Sequence, residues 1–303
     1  MPMMLPVPRR IFRSRIKISG AALGFLPLHL PGEAMGIEES VAAHYTSGTT
    51  EQQILRRLAA AATAEKPFDP ERFDVAALHV IDQLHVGGPA ATARVAERAG
   101  IAAGQHVLDI GSGLGGVARY LAHHCGATVH GVELTEEFVA VATSLTRRTG
   151  LAYSVEFTLG NALSLPFAAD SFDAAVMFHV GMNIQDKDIL FAEAARVLRP
   201  GSVLAVYDVM LMGGDVEEYP LPWANTPGTS FLQPPLAYSD ALAQAGFSVD
   251  FEARTPLAES AIFLEKGMAG SGSQGVQNTQ FANLLRAFRA GLLAPVEIYA
   301  LLP

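Results

Sequence analysis

The 303-residue chain is half apolar and carries 21 basic against 30 acidic side chains, a formal net charge of −9. Such a field repels nucleic acid unless a local basic patch overcomes it, and none stands beyond the first 20 residues. No run of roughly 18 or more uninterrupted apolar residues marks a membrane-spanning helix, and the single cysteine, Cys125, cannot form an internal disulfide, which agrees with a reducing, cytoplasmic compartment.

Residues 1–34 stand apart: Arg9, Arg10, Arg13, Arg15 and Lys17 are basic, no acid precedes Glu33, and an apolar stretch over 18–30 is interrupted by Pro27 and His29. Two readings stay open, a targeting segment and a disordered basic extension ahead of a start at Met35; the extension is the one expected. Residues 51–64 then place Ile54, Leu55, Leu58 and Ala62 at helical spacing, and residues 73–84 repeat the pattern after Pro67 and Pro70. The segment 35–88 therefore reads as a helical cap. Past Gly87, Gly88 and Pro89 a helix resumes over 90–99 and stops at Gly100.

From there strands and helices alternate, the pattern of a parallel sheet covered on both faces. Strands are expected over 107–110, 127–132, 155–159, 174–178 and 203–207, with helices over 117–125, 135–148 and 188–198 between them. In the helix opened by Thr135, Glu136 and Glu137 stand in the first turn and Arg147 and Arg148 in the last, complementing the helix dipole at both ends. Residues 213–235, rich in Pro, Gly and aromatics, read as a lid or long loop. A helix over 239–245, a strand over 247–251, a Gly/Ser linker over 267–277, a helix over 281–290 and a last strand over 296–301 complete the chain.

The sharpest signal is the glycine loop Gly111-Ser112-Gly113-Leu114-Gly115-Gly116, set between a strand and a helix. Glycines there let the backbone approach a ligand, and the next helix offers free N–H groups. The spacing also satisfies G-x-G-x-x-G, which alone fits a dinucleotide equally well. Three features bear on the choice. Asp109 lies in an otherwise apolar strand and needs a partner; an ammonium would supply one, whereas a pyrophosphate would be repelled. Glu133 ends the second strand, where a carboxylate accepts ribose hydroxyls of either ligand. Asn161, in Gly160-Asn161-Ala162, can face an adenine edge, with Leu163 and Leu165 on the ring, or can simply serve the turn.

The runs VLDIGSGLGGVARYLA (107–122), GVEL (131–134), LPFAADSFDAAV (165–176) and ARVLRPG (195–201) resemble class I methyltransferases that use S-adenosylmethionine (SAM). The likeness spans residues 84–207 and is nearest to the branch acting on small amines, the phosphoethanolamine and the sarcosine/dimethylglycine N-methyltransferases. It implies an α/β, Rossmann-like, seven-stranded mixed sheet, mostly parallel with an antiparallel last strand, behind an N-terminal helical cap. On that reading residues 89–303 are the methyltransferase domain, with a lid insertion at about 211–238. It implies SAM as cofactor, held by Val86, Gly87, Asp109, Gly111, Ser112, Gly113, Gly115, Glu133, Leu134, Asn161, Ala162 and His179. Tyr45 matches a tyrosine that closes over the donor. Asn183 stands where the phosphoethanolamine enzymes place a catalytic histidine, with His179 four residues earlier.

A small-molecule acceptor follows, most simply an amine nitrogen, with oxygen or carbon of a quinone- or sterol-like lipid as the alternative. His179 is the candidate base and Asn183 a group to orient the acceptor. Tyr219, Trp223, Phe231 and Tyr238 in the lid either stabilise a quaternary ammonium by cation–π contact or only pack the lid. No Lys or Arg lies between Gly213 and Ala253, which weighs against a phosphorylated acceptor. No metal constellation is seen: His123 and His124 are adjacent and point apart on a helix. An NAD-dependent oxidoreductase and a non-catalytic SAM-binding protein are the rival classes, and the oligomeric state is not legible.

Overall fold

In the computed structural model the described residues are 36–63, 67–79, 81–270 and 276–303; the expected basic extension lies outside them. Residues 36–303 form one compact unit. Its N-terminal part comprises α1 (Ile37–Tyr45), α2 (Thr50–Ala60) and the single turn α3 (Val75–Leu78). α4 (Gly88–Arg98) leads into β1 (His106–Ile110), α5 (Gly116–Tyr120), β2 (Thr128–Glu133), α6 (Glu136–Arg148), β3 (Val155–Leu159) and β4 (Phe172–Phe178). Then come α7 (Lys187–Val197), β5 (Leu198–Leu211), α8 (Pro235–Gln244), β6 (Ser248–Arg254), α9 (Leu257–Gly270), α10 (Val276–Arg289) and β7 (Leu293–Leu301).

The seven strands lie in the order β3-β2-β1-β4-β5-β7-β6. All pairings are parallel except those of β7, which runs antiparallel to β5 and β6. The strand order reverses direction about β1, the point at which open α/β sheets bind ligands beyond their carboxyl ends. β1, β4 and the stretch of β5 from Ser202 to Met210 are almost wholly buried, as expected of central strands covered by helices on both faces. The antiparallel strand expected at 296–301 begins earlier, at Leu293.

The N-terminal helices pack directly over the sheet's helices. Ile54, Leu58 and Leu78 share one apolar cluster with Leu114, Phe138, Val141 and Leu145. Glu137 pins the turn between α1 and α2, accepting from the backbone N–H groups of Ser47, Gly48 and Thr50 at 2.6, 2.8 and 3.0 Å. Burial works against this charge, but those bonds and the Thr50 side chain outweigh it and hold the carboxyl at about 2.

The helix expected over 73–84 is only the turn α3. Beyond it, Asp82 Oδ2 receives Arg119 Nη2 at 2.7 Å, both groups buried. Arg119 also donates to Leu114 O, Ala142 O and Thr146 Oγ1 at 2.5, 3.2 and 2.9 Å. The helix expected over 117–125 is α5 continued by a wide π turn over Leu121–Cys125. Helices α1 and α9 were not anticipated: α9 runs through the first part of the expected 267–277 linker, and 271–275 lie outside the described residues.

Arg119→Met strands the Asp82 carboxyl in the interior. A cost of about 3–5 kcal/mol is expected for breaking a buried pair, read as a lower urea midpoint at unchanged slope.

Candidate active site

The loop after β1 is built on positive backbone angles, φ 71° at Gly111, 53° at Gly113 and 79° at Gly115. At Gly111 the left-handed backbone coincides with close packing, since a Cβ would stand 2.4 Å from Val180 Cγ2; no other residue fits there. Glu133, at the end of β2, organises the loop. Its Oε2 accepts from Gly113 N at 2.9 Å and its Oε1 from Thr135 N at 2.8 Å. A carboxylate has lone pairs left after two such bonds, so acceptance from a ligand's hydroxyls is still open to it.

The loop borders a cavity of about 1210 Å³, above the roughly 300–1,000 Å³ usual for a single small-molecule pocket. Gly111, Gly113, Glu133, Leu134, Asn161 and Ala162 line one side; Tyr45, His179 and Asn183 also face it. The sequence-selected residues are thus brought together from α1, the first two β–α loops, the segment after β3 and the end of β4. Asp109 and Ser112 sit behind the glycines. Val86, Gly87 and Gly115 do not border the cavity: Val86 packs among Trp223, Leu284 and Phe288, while Gly87 and Gly115 start α4 and α5. Asn161 spends its Oδ1 on Leu163 N at 2.9 Å, serving the turn, which leaves its amide hydrogens for a ligand.

Asp109 is only 1% exposed, and its Oδ2 has no partner in the protein. Burial, then the nearby Glu133 charge, push its carboxyl up to about 7; a backbone bond from Ala118 and the Arg119 charge pull the other way. His179 has φ 55°, its N–H tied to Tyr207 O at 2.7 Å. Burial, with His85 beside it, lowers its imidazole well below the usual value, so the ring is neutral. Its Nε2 is sealed from solvent and unpartnered. Tyr45 donates to Asn183 Oδ1 at 3.4 Å, and burial raises its hydroxyl above the ordinary range, keeping it protonated.

Asn183 belongs to a one-turn helix, Gly181–Asn183, that is clamped from below. Lys187 Nζ donates to Gly181 O at 2.8 Å, Phe231 O at 3.1 Å and Ile184 O. Its cation lies 5.2 Å from the Tyr238 ring, and Tyr238 donates to buried Asp208 at 2.8 Å. Burial brings Lys187 down to about 8 and Asp208 up to about 6.

The lid aromatics do not form a cation cage. None of Tyr219, Trp223, Phe231 and Tyr238 borders the cavity. Trp223 packs against Leu221, Leu284 and Phe288 and gives its Nε1–H to Ser230 at 3.0 Å, while Tyr238 faces Asp208. From this region Pro222 and Gln233 line the cavity, joined by Phe281 of α10. The sequence reading missed Ile37, Val41 and His44 beside Tyr45, although their three- and four-residue spacing was the available signal. His44 Nε2 meets Pro222 O at 3.0 Å and so ties α1 to the lid. Among the described residues no group of three or more His, Cys, Asp or Glu is placed to hold a metal ion, and no helix is long and apolar enough to cross a membrane.

Residues 108–206 match the family described as a methyltransferase domain. The chain is 40% identical over 133 residues to the methyltransferase GfsG of Streptomyces halstedii, a match covering 44% of this chain and 48% of that protein. It is 32% identical over 213 residues to the O-methyltransferase cnsE of Penicillium expansum, covering 67% and 75%. The chain thus spans about half the length of GfsG and three quarters of cnsE. In fold it is similar to the geranyl diphosphate C-methyltransferase of Streptomyces coelicolor A3(2), with TM-score 0.65, 17% identity, 90% of this chain and 100% of that one. It is also similar to phosphoethanolamine N-methyltransferase 2 of Haemonchus contortus, with TM-score 0.62, 22% identity, 74% of this chain and 54% of that one.

The unpartnered Asp109 oxygen fits an ammonium, which pairs only with the ionised carboxylate. Since that form disappears below about pH 7, SAM affinity is expected to fall about tenfold per pH unit below it. The α-amine itself titrates only near 7.7–8.0, so calorimetry between about pH 5.5 and 7.5 isolates the carboxyl. Asp109→Asn removes both the affinity and the slope.

Proposed function

The chain belongs to the SAM-dependent methyltransferases, and from that membership we propose that it transfers a methyl group to a hydroxyl oxygen of a bulky, largely apolar, uncharged small molecule. The observation that carries this reading is the cavity of about 1210 Å³. Its size suits a donor and a sizeable acceptor together, and much of its wall away from the glycine loop is apolar or neutral, with Val41, Ile54, Leu84, Met182, Gln233 and Phe281 beside a few charged groups. The two cations that border it are poorly suited to an anionic acceptor. Lys187 is committed to three carbonyls, and Arg57 is exposed, with Glu38, Asp186 and Asp188 also on the lining. Hydroxyl transfer also agrees with cnsE, whose name gives it as an O-methyltransferase.

Bound SAM supplies an electrophilic methyl group on a positive sulfonium. The glycine loop, Asp109 and Glu133 would hold its amino-acid and ribose ends, with Asn161 and Leu163 beside the base. Tyr45 stays protonated and so acts as a donor, not a base. It occupies Asn183 Oδ1, which leaves the Asn183 amide hydrogens to orient an acceptor oxygen. Neutral His179, on the cavity wall, accepts the hydroxyl proton. The N-terminal helices exclude water over the site, and positioning and desolvation supply most of the rate.

A second reading, transfer to an amine nitrogen, is favoured by the carboxylates of Glu38, Asp186 and Asp188. The lid rings give it no support, since none of Tyr219, Trp223, Phe231 and Tyr238 borders the cavity.

Methyl-labelled SAM offered with matched hydroxylated, amino and phosphorylated acceptors tests the choice. Label in bulky neutral hydroxyl compounds supports the first reading, and label only in amines replaces it with the second. With the acceptor so found, His179→Asn is expected to lower kcat by about 10²–10⁴ while SAM affinity by calorimetry stays within about threefold; an unchanged kcat removes His179 as the base.

A further inference from the structure

The segment between β5 and α8 reaches the cavity through Pro222 and Gln233, and it is fastened to the Gly181–Asn183 turn at Phe231. Phe231 N donates to Met182 O at 2.8 Å, and Phe231 O accepts from Lys187 Nζ at 3.1 Å. The same ammonium holds Gly181 O at 2.8 Å and Ile184 O. Those two carbonyls lie six and three residues before Lys187, so their bonds are local. The bond to Phe231 spans 44 residues and joins the turn to the lid.

Three carbonyls take all three hydrogens of an ammonium, whereas a neutral amine has two to give. Phe231 O, at the longest distance, is the one left unmet when the proton goes. The surroundings set when that happens. Burial brings Lys187 down to about 8, against the charges of Asp208 on β5 and Asp186 at the start of α7. From α8 the Tyr238 ring faces the cation at 5.2 Å, and burial keeps its hydroxyl protonated. Asp208 accepts from that hydroxyl at 2.8 Å and from Val209 N at 2.9 Å. Titrating at about 6, it is already ionised when Lys187 loses its charge.

We propose that Lys187 is a positioning residue that latches the lid to the acceptor turn, its grip on Phe231 O, Gly181 O and Ile184 O keeping Gln233 and Asn183 at a fixed separation on two sides of the acceptor. The latch is closed while Lys187 is charged and opens as pH rises through about 8. The acceptor's part in this rests on the methyltransferase reading of the cavity; the grip of Lys187 on the lid does not.

Trp223, the chain's single tryptophan, reports the lid. It is 2% exposed, and its Nε1 donates to Ser230 Oγ, beside Phe231, at 3.0 Å. Its emission is followed in the ligand-free protein from about pH 7 to 9.5. A shift to longer wavelength with a midpoint near pH 8 is expected. Lys187→Met keeps the stem and removes the charge. Its emission is expected to be shifted at every pH, with S-adenosylhomocysteine affinity by calorimetry within about twofold. For the unsubstituted protein with SAM saturating, the acceptor KM is expected to rise about tenfold from pH 7 to 9, where about one molecule in ten is still latched, and kcat to change by less than about threefold.

Flat emission from the unsubstituted protein overturns the latch and needs no variant to fold. The same transition in Lys187→Met also overturns it. So does a tenfold loss of S-adenosylhomocysteine affinity in that variant, since a merely structural role predicts it. A transition near pH 8 in a protein that methylates no acceptor keeps the latch and overturns the reading beneath it.

Discussion

Arg119 is fully buried, and its guanidinium ties together the turn after α3 through Asp82, the glycine loop through Leu114 O, and α6 through Ala142 O and Thr146. A buried cation needs its charge paired and its donors met; both Nη groups are met and Nε is left over, so these segments have little freedom to move apart. The consequence reaches the ligand site. The same pair holds Asp82 beside the loop, with Gln83 and His85 next to it, and sets a positive charge near Asp109 that partly offsets the effect of burial on its carboxyl.

The far side of the cavity is assembled by different means. Glu137 holds the α1–α2 turn by backbone N–H groups, and Lys187 holds the Gly181–Asn183 turn by backbone carbonyls. In each case one buried or half-buried charge satisfies several main-chain groups of an irregular segment, which otherwise would stand unpaired. Tyr45 and Asn183 then meet across the two held segments. Gly181 permits this approach, since a Cβ there would stand 2.4 Å from Asp208 Oδ2.

The sheet was legible because burial on both faces writes itself as short apolar runs, and the glycine loop because its requirements fall on adjacent residues. Asp109 was found as a charge inside an apolar strand, and Glu133 and Asn161 by their places at strand ends. The acceptor side was not legible, since α1, the 181–183 turn, Pro222, Gln233 and Phe281 come together only in three dimensions. Of the two readings open for Trp223 and Tyr238, packing is the one realised, for a physical reason: each is a large ring with a polar tip, and each satisfies that tip inside the protein, on Ser230 and Asp208. The Asp82–Arg119 pair was concealed by an apolar periodicity in residues 73–84 that reads as a helix although only one turn forms.

The electrostatic character of the site follows from burial more than from pairing. His85 is lowered to about 4 and His179 well below its ordinary value, both by desolvation first, and Tyr45 is raised by the same cause. Near neutral pH these three groups are uncharged, and Asp109 sits at the edge of ionisation. A cavity with such walls does little to stabilise a separated charge of its own. It suits a reaction in which an existing positive charge moves with a methyl group between two neutral partners, where fixed positions and exclusion of water matter more than a strong acid or base. The ionisable groups nearest the donor end then act through shape and hydrogen bonding, and the one charge that a ligand is needed to complete is that of Asp109.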